Sequence, residues 1–171
     1  MCFFVDCHLI RRTGLDSPRT VKIGIIGAGR IANTHARYYR LLDTHDWEGF
    51  RSLWTPDAIM DVNFPDRILT SEDGIYRGPD AITAFAIKAV GMATSIDHAL
   101  MPEIEILTPS TARAIWAQED RVFWPEGYPN KSLHGFGYEH ETYETIDGKW
   151  RIKSTKLVRV KTDIERNAPR G

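Results

Sequence analysis

The chain has 171 residues, 42% of them hydrophobic and 26% charged, with a formal net charge of −1. That length can bury a core within one domain, and the balanced charge excludes a general electrostatic pull toward nucleic acid or an anionic membrane. Cys2 and Cys7, the two cysteines, both lie in the first seven residues, which excludes a disulfide framework and zinc-finger spacing. Asp6 interrupts the first apolar run and no basic residue precedes it, so the start does not read as a signal peptide. No apolar run approaches membrane-spanning length, and the expected location is cytoplasmic.

Residues 1–20 have no hydrophobic period, and 1–27 read as an N-terminal extension. Across its end, Val21–Ala32 (VKIGIIGAGRIA) carries Gly27-x-Gly29-x-x-Ala32, which is similar to the phosphate-binding turn of nicotinamide-dependent oxidoreductases. The rest of that unit is missing. Where a second strand ending in an acid should follow, the chain reads DWEGFRSLW. The segment is therefore read as a glycine-rich lead-in, and no cofactor is expected.

From Arg30 to Leu42 apolar residues recur at three- and four-residue steps, which predicts a helix. Asp46 suits the N-cap of a short helix ending near Trp54, and AIMDVNF reads as a strand. Gly78-Pro79-Asp80 is a strong helix start, with the helix running to about Gly91. Four strand-like segments follow, HALMPEIEIL, TARAIWAQEDRVFW, HGFGYEHETYET and KWRIKSTKLVRV. The last two flank Asp147-Gly148, the strongest hairpin signal in the chain. Helices first and antiparallel strands after predict an α+β domain over residues 28–162, with 163–171 as a polar tail.

The stretch YYRLLDTHDWEGFRSLWTPDAIMDV, with His98, Asp120 and the final GKWRIKSTKLVRV, resembles the SnoaL-like branch of the nuclear-transport-factor-2-like superfamily, which includes bile acid 7α-dehydratase and scytalone dehydratase. The likeness spans roughly residues 30–162. It implies a cone-shaped fold in which a curved antiparallel sheet packs on N-terminal helices around one deep pocket. Carried over residue by residue, the family's pocket groups fall on Tyr38, Asp43, Asp120 and Arg159. An ungapped match puts the family's histidine at Asp97, and a shift of one residue brings it to His98.

Helix spacing puts Tyr39, rather than Tyr38, on the face of Asp43. Ile96, His98, Leu100, Ile104 and Ile106 share one parity, so alternation points His98 inward and Asp97 outward. Asp120 shares parity with Ala112, Ala114, Trp116 and Val122, again the apolar side. Arg159 and Leu157 share a parity opposite to Trp150 and Ile152, so a bulge is needed to turn both sets inward. His134 and His140 beside Glu139 and Glu141 read as solvated strand residues rather than a metal site, and YEHETYE is ambiguous between pocket floor and solvent face.

These readings together suggest a lyase or isomerase that needs no cofactor and no metal, with a dehydratase as first choice. His98, oriented by Asp43, would move the proton, Tyr38 would steady an enolate oxygen, and Asp120 with Arg159 would orient the substrate. The expected partner is a small hydrophobic cyclic substrate such as a steroid, polyketide or aromatic intermediate, with neither nucleic acid nor membrane involved, and the expected assembly is a homodimer or homotrimer. Two rivals are a non-catalytic binding or subunit-contact domain of the same fold and a truncated nicotinamide-dependent oxidoreductase.

Overall fold

A computed structural model of the chain describes residues 23–62 and 74–167. The element order is α1 (Ile23–Asp43), α2 (Trp47–Arg51), β1 (Trp54–Asp61), β2 (Ile75–Arg77), α3 (Gly78–Val90), β3 (Thr94–Thr108), β4 (Thr111–Phe123), β5 (Asn130–Ile146) and β6 (Lys149–Arg166). The strands form one curved, open sheet in the order β2-β1-β6-β5-β4-β3, with the helices packed on one face. Only β1 and β6 run parallel among these neighbours. This is the α+β architecture expected from the order of helices and strands.

Local chemistry explains the joints. Asp46 caps α2 by accepting the Gly49 N–H at 2.9 Å. Gly78 takes φ +78°, which a residue with a Cβ adopts only under strain, and hands the chain to Pro79 at the start of α3. Asp147 and Gly148 both have positive φ, 51° and 72°, as a tight hairpin between β5 and β6 requires. The buried core lies between α1 and the inner face of the sheet, around Ile31, Tyr38, Phe50, Trp54, Trp116 and Ile152.

Three placements differ from the sequence reading. Helix α1 begins at Ile23, so Gly27 and Gly29 stand inside a helix and not on a strand-to-helix turn. Residues 1–22 of the expected extension lie outside the described residues. Strand β6 runs on to Arg166 through part of the supposed polar tail. Ile164 packs near Ala89, Val90 and Leu133 there, and Lys131 pairs with Glu165 at 2.7 Å. The third is β2, which pairs with β1 through Tyr76 and Met60 and was not legible beforehand.

Candidate active site

The inner face of the sheet and the C-terminal half of α1 enclose a cavity of about 110 Å³. Its apolar wall comes from Leu42, Phe50, Met60, Phe85, Val122 and Leu157. Its polar groups are Tyr38, Tyr39, Asp97, Gln118, Asp120, Glu139 and Arg159. Five of these arrive from four different strands, so the sheet's curvature converges them on one space.

Asp120 and Arg159 form the best-defined pair. The guanidinium donates through both Nη atoms to the two carboxylate oxygens, one contact being 2.8 Å. Gln118 completes the group, donating to Asp120 at 2.7 Å and accepting from Arg159 at 3.2 Å. The pair meets because β6 bulges at Lys153. Tyr143 pairs with Ile152 whereas Thr142 pairs with Ser154, which turns both Ile152 and the later Thr155, Leu157 and Arg159 inward.

Asp43 ends α1 and turns toward β3. It accepts the Ser95 hydroxyl at 2.6 Å and the Asp97 backbone N–H at 3.2 Å. Burial, reinforced by the charges of Asp43 and Asp120, raises the Asp97 pKa well above the usual carboxylate range.

His98 does not belong to this group, and the inward orientation expected for it is corrected. Its side chain is exposed, as are its parity mates Ile96 and Leu100 at 42% and 52%. The cause is a bulge at Met101, whose φ is +39°. Leu100 pairs with Ala117 and Glu103 with Ile115, so β3 spends one extra residue there. Ahead of the bulge Ser95, Asp97 and Ala99 face inward, and beyond it Ile104 and Ile106 do. One parity cannot be carried across 96–106. The ungapped position, Asp97, is the one that reaches the cavity.

Tyr38, 6% exposed, packs against Tyr39, Phe50 and Trp54 and lines the cavity. Burial first, and then the charge of Glu139, hold its phenol well above its ordinary pKa, which keeps it a donor at neutral pH. Tyr39 is its neighbour rather than its substitute, donating to Glu139 at 2.8 Å.

A second buried cluster escaped the sequence reading. His35, Glu139 and Glu141 are 0%, 4% and 2% exposed. His35 Nδ1 donates to Glu141 at 2.8 Å, its Nε2 lies 3.7 Å from Glu139, and its ring stacks on Trp116 at 4.0 Å. Tyr143 donates to Glu141 and accepts from Trp116 at 3.1 Å. The signal was present, since Leu133 and Tyr143 share parity with Glu139 and Glu141 along β5. His140 on the opposite parity is exposed, and His134 pairs with Glu119 at 2.7 Å.

Residues 28–156 match the family model of the SnoaL-like domain. The chain belongs to the SnoaL-like family. A relative, the probable cyclase FGR4 of Gibberella zeae, is 28% identical over 138 residues, covering 78% of this chain and 91% of that protein. Among solved structures, a type 2 hexachlorocyclohexane dehydrochlorinase superposes with a TM-score of 0.68 at 17% identity, covering 86% of this chain and 97% of its own. A candidate scytalone dehydratase from Novosphingobium aromaticivorans gives 0.70 at 17% identity, covering 85% and 91%. These likenesses place this SnoaL-like chain in the nuclear-transport-factor-2-like fold. No described helix is long and apolar enough to cross a membrane.

Proposed function

We propose that this SnoaL-like protein is a lyase or isomerase of the dehydratase–cyclase type, acting on a small hydrophobic cyclic substrate by acid–base chemistry. The carrying observation is Asp97, held beside Asp43 through its backbone N–H, at the wall of a cavity that joins apolar side chains to a few convergent polar groups. A carboxyl that keeps its proton can pass it to a departing hydroxyl or to a carbonyl oxygen, and Asp43 stands behind it to hold the pair's geometry. Tyr38 would donate to the oxygen of the developing enolate, where a fixed donor in a dry site is worth most. Arg159, already neutralised by Asp120, would orient a polar substituent without bringing an unbalanced charge into the cavity.

The relatives named as cyclase, dehydratase and dehydrochlorinase all fit chemistry of this kind, which moves protons and expels a small group. The test is a screen of cyclic β-hydroxy ketones for loss of one water by mass spectrometry. Turnover that survives Asp97→Asn within a few-fold would remove Asp97 from the mechanism.

A further inference from the structure

An elimination or a double-bond shift needs a base as well as an acid, and the Asp43–Asp97 pair supplies the acid. Besides Asp97 and the ion-paired Asp120, the cavity is lined by one further carboxyl, that of Glu139 on β5. Behind Glu139, away from the cavity, lie His35 and Glu141, with His35 Nε2 and Glu141 Oε1 buried and unpartnered. Two unpartnered polar atoms deep in a core are costly unless they are used.

We propose that Glu139 is the cavity's general base and that His35, held by Glu141, is its positioning residue. This rests on the acid–base reading above. In the step, the Glu139 carboxylate takes a proton from a substrate carbon, and the C–H electron pair forms the new double bond. For an elimination, the C–O bond breaks, and Asp97 gives its proton to the leaving oxygen, which departs as water. Glu139 ends protonated and Asp97 ionised. Proton exchange with solvent restores both.

The surroundings of Glu139 suit that role. Tyr38 and Tyr39 from α1, Asp97 from β3, Arg159 from β6, and His35 with Glu141 are the titratable or charged groups acting on it. Burial and the charge of Glu141 raise its pKa to about 7, against the opposing pull of His35, Tyr39 and Arg159. Burial opposes a charge on His35, but Glu141 by charge and hydrogen bond, and Glu139 by charge, outweigh it and raise that pKa too. Asp97 and Glu139 are thus both raised, each chiefly by burial and then by neighbouring carboxylates. His35, Tyr39 and Arg159 pull back on Glu139 alone of the two, which favours it as the base.

The probe is 5-nitrobenzisoxazole, whose C3 proton goes to a base while the C3–H electron pair forms the nitrile and the N–O bond opens to a cyanophenolate, with no acid required. The full-length chain should open it faster than acetate at equal concentration, along a single ionisation near neutral pH. Glu139→Gln should lose on the order of 10²-fold, and His98→Ala should lose nothing. Glu139→Asp, if the Gln variant folds poorly, should slow the reaction and keep the ionisation. His35→Asn should move the profile to higher pH, because the charge that lowers the Glu139 pKa is gone. A wild-type chain no faster than acetate, or one whose rate is unchanged by Glu139→Gln, overturns the proposal. So does a stoichiometric rise in Tm with ZnCl₂ or MnCl₂ that Glu139→Gln abolishes, since His35, Glu139 and Glu141 could offer a metal three ligand atoms within 4.8 Å of one another. The acid–base reading itself is decided separately, by the protonation of Asp97.

Discussion

The carbon that Gly135 lacks is the space that Arg159 occupies. A Cβ at Gly135 would lie 2.6 Å from Asp120 Oδ1 and nearer still to the guanidinium of Arg159. Gly135 sits directly across from Asp120 in the β4–β5 ladder, so the glycine is the opening through which β6 delivers its arginine. Gly135→Ala should therefore displace the ion pair and cost about 1–3 kcal/mol, as overpacking typically does. Urea denaturation measures the loss, and an unchanged midpoint would show that the pair can move aside.

Asp120 and Arg159 are 8% and 11% exposed, so each depends on the other. Arg159→Met should cost about 3–5 kcal/mol by stranding a buried carboxylate. Adding Asp120→Asn should recover part of that loss, making the double variant more stable than the sum of the singles. A double-mutant cycle with no coupling would contradict the arrangement.

His98 is exposed and pairs across the ladder with Glu119 on the outer face of the sheet. His98→Ala should change stability by no more than about 0.5 kcal/mol. Any turnover found for this protein should survive it within a few-fold. A loss on the order of 10²-fold would return the histidine to the mechanism.

Stability should fall as pH rises from about 4.5 to about 7. Glu139 binds its proton more tightly folded than unfolded, so the stability it contributes is full below its ordinary value of 4.5 and is lost through its folded pKa of about 7. His35, also raised, acts in the same direction above its ordinary 6.5. Glu139→Gln should flatten the decline and leave the variant more stable than wild type at pH 8, by at most about 3 kcal/mol. Calorimetric melts across pH 5–8 check the slope, and parallel curves for the two proteins would contradict it.

Much of this fold was legible because its signals are local. The Asp46 cap, the Gly78-Pro79 start and the Asp147-Gly148 hairpin each depend on a few adjacent residues. The inward turn of Asp120 followed from an unbroken alternation along β4. The bulge that delivers Arg159 could be inferred because two apolar sets on β6 stood out of phase. On β3 the apolar residues on both sides of the bulge were even-numbered, so the phase change at Met101 left no trace and His98 was turned inward in error. The cluster of His35, Glu139 and Glu141 joins residues about a hundred positions apart. Parity with Leu133 and Tyr143 marked Glu139 and Glu141 as inward on β5, but nothing local pointed to His35 as their partner, and only the fold brings them together.

The central claim is that Asp97, buried at the cavity wall beside Asp43, holds its proton far more tightly than a free aspartate does. The most direct measurement is a ¹³C NMR titration of the Asp97 side-chain carboxyl, assigned by comparison with Asp97→Asn. The account expects a midpoint well above the usual carboxylate range. A carboxyl already ionised at pH 5, titrating near 4 as a free aspartate does, would contradict it.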